Sequence, residues 1–91
     1  MQKACKIRVY GRVQGVWFRA YTQRKAEELG IKGFVRNEAD GSVYIEAEGE
    51  EQALQAFIEW CHEGSPLAKV ERVEIEPLEP PPGYQEFAIR R

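Results

Sequence analysis

The sequence predicts an α+β domain: a two-layer sandwich in which an antiparallel sheet carries both helices on one face, with a short extra strand at the C-terminus. Three observations lead there. The patterned segments follow the order strand–helix–strand–strand–helix–strand, then a last short strand. The strands alternate apolar and polar residues, so each has one face for a core. The chain has 91 residues, enough for a single domain spanning 1–91. A chain of that size buries roughly 60–65% of its unfolded surface, which supplies one modest core.

The elements follow in order. Over residues 4–13, Cys5, Ile7 and Val9 share one side while Lys6, Arg8 and Tyr10 share the other, which is a half-buried strand. Gly11 to Trp17 is the turn. A helix runs from about Phe18 to Leu29, with Phe18, Tyr21, Thr22, Lys25, Ala26 and Leu29 on one side, imperfectly apolar at Thr22 and Lys25. Gly30 stops it. Ile31 to Asn37 reads as a second strand, and Asp40-Gly41 signals a hairpin turn. The third strand spans Ser42 to Glu48, with Val43, Ile45 and Ala47 inward.

Gly49-Glu50-Glu51 opens a second helix, whose acids suit its N-terminus. Ala53, Leu54, Phe57, Ile58 and Cys61 form its buried stripe, and Gly64-Ser65-Pro66 ends it. A fourth strand runs from about Ala68 to Glu76. Val70, then Val73 and Ile75, break the period of two, which predicts a bulge between them. Glu79-Pro80-Pro81-Pro82-Gly83 is a stiff connection. Glu86 to Arg90 forms the last strand, with Phe87 and Ile89 inward. Two right-handed crossovers then assemble the ferredoxin-like split unit. Strands one and two run the same way, so the end of strand one, the start of helix one and the end of strand two share one edge. That places Arg19 and Asn37 together, and Asn37, in phase with Val35, faces the helix side.

The totals exclude several function classes. The net charge is −2, with 43% apolar and 31% charged residues. That balance is ordinary for a globular protein and argues against broad binding of nucleic acid or anionic membrane, which needs a basic face. No apolar run approaches the ~20 residues of a membrane span, and the opening residues lack the apolar core of a signal peptide. A monomeric cytoplasmic protein that engages neither nucleic acid nor membrane is expected. The cysteines, Cys5 and Cys61, are expected as reduced thiols filling the core. One histidine and no Cys/His cluster leave little for a transition-metal site, and no cofactor is expected.

Chemistry concentrates in Gly11-Arg12-Val13-Gln14-Gly15-Val16-Trp17-Phe18-Arg19. Glycines let the main chain approach a ligand closely. The first amides of a helix lack intrahelical partners and sit at the positive end of the dipole. A turn, a helix start and an arginine together suggest a cradle for an oxyanion, phosphate foremost. Gln14, Gly15, Val16, Trp17 and Phe18 supply the amides. Arg19 opposes the helix dipole, an unforced cost without an anion nearby. Its bland reading is a surface arginine paired with an acid; its functional reading is a bidentate grip on phosphate oxygens. The turn lacks the Gly-Lys-Ser/Thr of a nucleotide-binding P-loop. Asn37 on pattern alone reads first as a turn cap, yet a carboxamide also donates and accepts at once and can aim a water. Glu46 and Glu48 read as a solvated face, and Ser42 and Ser65 as turn residues with no base in view.

Gly11 to Arg19 resembles the first signature of the acylphosphatases. Gly33-Phe34-Val35-Arg36-Asn37, followed by Asp40-Gly41-Ser42-Val43, resembles the second. Gly64-Ser65-Pro66-Leu67-Ala68, Val70, Val73 and the closing Phe87-Ala88-Ile89 also resemble that family, so the likeness covers essentially the whole chain. It implies hydrolysis of acyl phosphates, the mixed anhydrides of a carboxylate and phosphate, with inorganic phosphate as product or inhibitor. It implies that Arg19 and the loop amides bind the phosphate, that Asn37 orients the attacking water, and that neither metal nor covalent intermediate is used. Phe34 stands where tryptophan is common, and Trp17 occupies a variable position in the first motif, where it could alter access to the cradle. Two other readings remain for the residues themselves. One is an RNA-binding sheet face built on Tyr10, Phe34 and Tyr44; the other is an anion-sensing domain without turnover.

Overall fold

The computed structural model describes residues 1–91. Its elements are β1 (Gln2–Arg12), α1 (Phe18–Leu29), β2 (Lys32–Asn37), β3 (Val43–Glu50), α2 (Glu51–Glu63), β4 (Lys69–Pro77) and β5 (Phe87–Arg90). The sheet order is β4-β1-β3-β2-β5. β1, β2, β3 and β4 pair antiparallel. β5 pairs parallel to β2, so the sheet is mixed at that edge, where the pattern of residues suggested an antiparallel sheet throughout. The cause is the connection after β4, which carries the chain across to the opposite edge instead of turning back beside β4.

The alternation of β1, β2 and β3 is spent on one core, against which β4 packs only its half-buried Val70 and Val73. Ile7, Val9, Val35, Val43, Ile45 and Ala47 are buried on the helix side with Phe18, Ala26, Leu54 and Phe57 above them. β5 joins through Phe87, whose ring meets Phe57 edge-on at 5.9 Å. Thr22 interrupts the apolar stripe of α1 without leaving a loose polar group, because its Oγ1 donates to the Phe18 carbonyl at 2.7 Å. The helix ends where Ile31 N donates to Ala26 O (2.8 Å) and Gly30 N to Glu27 O (3.3 Å), the paired bonds of a Schellman stop. β3 continues to Glu50, so α2 starts one residue later with Glu51 in its first turn.

The bulge in β4 lies where the valine spacing put it. Tyr10 faces Arg72 and Gly11 faces Val70, leaving Glu71 as the extra residue. Gly11 there has φ 124°, and a Cβ on it would lie 2.2 Å from the Lys69 carbonyl oxygen. Only glycine fits, and the bend it allows aims the end of β1 into the turn before α1.

The outer sheet face differs from the solvated surface expected. Glu48 is buried, and one of its carboxylate oxygens accepts the amides of Gly83 (2.8 Å) and Tyr84 (3.1 Å). The Tyr84 hydroxyl donates to Glu46. The connection between β4 and β5 thus crosses this face and is tied down by these carboxylates. Phe34 is buried too, with the Arg90 guanidinium carbon 3.9 Å from its ring centroid and Tyr84 against its edge. A stacking platform for bases needs an open ring, and Phe34 does not present one.

Candidate active site

The site begins where β1 runs out. Val13 is 1% exposed and pins the chain to the core. The next residues turn through two left-handed positions, Gly15 at φ 75° and Trp17 at φ 64°. Gly15 adopts this without strain. Trp17 does not: a residue with a Cβ held there costs about 1–2 kcal/mol. Such strain persists where the surroundings enforce it, often at functional sites. The surroundings here are specific. Ser65, in the turn after α2, is 3% exposed, and its Oγ donates to the Val16 carbonyl at 2.8 Å. A trans peptide is planar with its C=O and N–H opposed. Holding the Val16 carbonyl toward Ser65 therefore points the Trp17 amide the other way.

Gln14 braces the same turn. Its Nε2 donates to the carbonyls of Glu38 (2.8 Å) and Ser42 (2.9 Å), so both hydrogens are committed to the connection between β2 and β3. That connection is stiffened by Asp40, which accepts from the Ser42 amide (2.9 Å) and hydroxyl (2.5 Å). These bonds hold the Asp40 carboxyl below the usual carboxylate range. Gln14 thereby links the cradle turn to the segment that carries Asn37.

The donors of the turn stay free. None of the amides of Gln14, Gly15, Val16 and Trp17 donates to a main-chain carbonyl. Trp17, the residue capping α1, offers no side-chain bond to the helix, and the first turn contains no acid. Nothing of the chain's own neutralises the positive end of this helix.

Arg19 adds to that excess. It forms none of the ion pairs in the structure. Its Nη1 donates instead to the Arg90 carbonyl of β5 at 3.2 Å. The reading of Arg19 as a surface arginine paired with an acid is therefore not what the fold provides. Arg19 and Asn37 line one cavity of about 350 Å³, together with Val13, Gly15, Trp17, Phe18, Ala20 and Ile89. The Asn37 Oδ1 is buried and has no hydrogen-bond partner. An unpaired buried acceptor costs about 1–3 kcal/mol, and here it belongs to a carboxamide whose residue shares a cavity with an arginine that no acid pairs.

Of the residues singled out in the sequence, Gly15, Trp17, Phe18, Arg19 and Asn37 meet around this cavity. Gln14 and Val16 do not line it: the Gln14 side chain serves as a brace, and the Val16 side chain is buried in the core. Ser65, Ala20 and Ile89 went unrecognised from sequence. Ile89 carried a usable signal in its inward parity on β5, and Ser65 in its place between Gly64 and Pro66, but their partners lie far away in the chain. No cluster of three or more His, Cys, Asp or Glu side chains gathers anywhere, and no helix is long and apolar enough to cross a membrane. Cys5 and Cys61 are free and buried in the core. Burial pushes the Cys5 thiol up to about 11 and raises that of Cys61 as well, which makes poor nucleophiles of both.

A ferredoxin-like sandwich with free helix-start amides, an unpaired arginine and an unsatisfied carboxamide at one sheet edge has the chemistry that suits a small oxyanion. A family model for the acylphosphatases matches residues 5–89. An acylphosphatase of Thermotoga maritima is 51% identical over 88 residues, covering 97% of each chain. One from Salinibacter ruber is 46% identical over 90 residues, covering 99% of this chain and 95% of the relative. The crystal structure of the Bacillus subtilis acylphosphatase superposes with a TM-score of 0.95 at 41% identity, covering 100% of both chains. The chain belongs to the acylphosphatase family, and it is a hydrolase acting on acyl phosphates.

Proposed function

We propose that the phosphoryl group of an acyl phosphate seats against the amides of Gln14, Gly15, Val16, Trp17 and Phe18 with Arg19 across it, and that Asn37 aims the attacking water. The substrate phosphate carries about two negative charges, which the helix start and the Arg19 fork offset as charge redistributes toward the leaving carboxylate. Water attacks phosphorus and the bond from phosphorus to the bridging oxygen breaks. The carboxylate departs with that oxygen and its electron pair, and the water's proton is lost to solvent or phosphate. A carboxylate is a good leaving group because its conjugate acid has a pKa near ~4, so no general acid is required. Positioning and charge stabilisation can supply the rate, which suits a cavity whose lining holds Arg19 and Asn37 but no acid or histidine.

The carrying observation is that Asn37, a carboxamide without an acceptor bond of its own, lines the same cavity as an arginine that no acid pairs. The Asn37 carboxamide holds the water so that one of the water's lone pairs is directed at phosphorus. In this reading the enzyme needs no metal or cofactor, and works as a cytoplasmic monomer apart from nucleic acid and membrane. The net charge of −2 supports the last point. The test is hydrolysis of benzoyl phosphate in excess chelator with inorganic phosphate as competitor. Asn37→Ala is expected to lose about 10²–10³ in kcat while phosphate inhibits as it does the parent. Turnover by Asn37→Ala at the parental rate would overturn the water-positioning role.

A further inference from the structure

The cavity holds more than a phosphoryl group. At about 350 Å³ it falls within the ~300–1,000 Å³ of ordinary ligand pockets, and a tetrahedral anion displaces only a few waters. Arg19 and Asn37 are assigned above to the phosphate and the water. What is left is apolar but for the Trp17 indole N–H. Val13 and Phe18 belong to the core at 1% exposure, whereas Trp17 is 72% and Ile89 41% exposed, and Ala20 is exposed beside them. Trp17, the left-handed residue before α1, and Ala20 in the first turn of that helix both line the cavity. Ile89 is held next to them because α1 grips β5 twice, through Arg19 to the Arg90 carbonyl and through Gln23 Nε2 to the Phe87 carbonyl at 3.0 Å. No acid lines the cavity, and no cation other than Arg19.

We propose that Trp17, Ala20 and Ile89 form the subsite for the acyl group, and that it selects flat apolar acyl phosphates, aromatic ones above all; this rests on the phosphoryl seat proposed above. A tryptophan face offers an aromatic acyl group area burial and an offset or edge-on contact. A short acyl group such as acetyl reaches little of that wall. An acyl group bearing a second carboxylate finds no cation there beyond the Arg19 already assigned to the phosphate, and loses hydration.

The experiment compares kcat/KM for benzoyl and acetyl phosphate in the parent, Trp17→Ala and Ile89→Ala, with the inhibition constants of phenylphosphonate and methylphosphonate as a second readout independent of turnover. The benzoyl-to-acetyl ratio is expected to fall roughly tenfold in Trp17→Ala, the low end for an apolar contact at an open rim, and by less in Ile89→Ala. The phenyl-to-methyl affinity ratio is expected to fall with it. Unchanged ratios in both variants, with both substrates still hydrolysed, overturn the subsite and leave the phosphoryl seat standing. A parent that hydrolyses neither substrate overturns both.

Discussion

Two stretches of main chain in this molecule present adjacent amides to an acceptor, and they end differently. At Gly83 and Tyr84 both amides converge on one carboxylate oxygen of Glu48, the chain's own anion, at 2.8 and 3.1 Å. At Gln14 to Trp17 the amides find no main-chain acceptor, and the arginine that follows finds no acid. The first device is closed on itself and fastens the crossing segment to the sheet. The second is held open by Ser65 and Gln14, which bind the carbonyl side of the turn and its neighbour rather than its donors. The lesson is that a nest of amides binds whatever anion reaches it, and that under the proposed function this turn works because the chain's own carboxylates stay away.

The largest effect should come from removing the charge of the open nest. Arg19→Ala is expected to lose about 10³ in kcat/KM and, unlike Asn37→Ala, to lose inhibition by phosphate as well. Arg19→Lys should recover little, because an ammonium lacks the planar fork. Steady-state kinetics with added phosphate read both quantities, and a parental phosphate inhibition constant in Arg19→Ala would break the comparison.

Next in size is the closed nest. Glu48→Ala strands the Gly83 and Tyr84 amides and is expected to cost about 1–3 kcal/mol of stability by urea unfolding, with kcat/KM unchanged. Loss of turnover without loss of stability would show that the two nests are not separate devices. The smallest effect belongs to Tyr84 at high pH. Burial, then its bond to Glu46, pushes the Tyr84 hydroxyl up to about 12, from an ordinary value near ~10. The folded state holds that proton more tightly, so the contribution is complete below pH ~10 and fades as pH climbs toward ~12. Tyr84→Phe should flatten that part of the alkaline unfolding curve relative to the parent, and a parental slope in the variant would remove Tyr84 from the account.

The sequence made local features readable and left distant partnerships hidden. The bounds of α1, Phe18–Leu29, followed from a glycine-ended apolar stripe, and the β4 bulge followed from the phase slip between Val70 and Val73. The shared edge of Arg19 and Asn37 followed from topology and parity. The burial of Glu48 did not, because its partners lie 35 and 36 residues onward. Nor did the role of Ser65, whose partner lies 49 residues back. The parallel docking of β5, which brings Ile89 to the cavity, depends on where a proline-rich connection leads, and periodicity carries no information about that. Trp17 in a left-handed conformation runs against its own preference and could be seen only in the fold.

The most direct test is a phosphate titration of the uniformly ¹⁵N-labelled protein followed through its amide resonances. The open-nest account predicts saturable shifts at Gly15, Val16 and Trp17 and at the Arg19 guanidinium, with Gly83 and Tyr84 unmoved. Shifts at Gly83 and Tyr84, or a silent turn at Gly15 to Trp17 under phosphate that inhibits turnover, would contradict it.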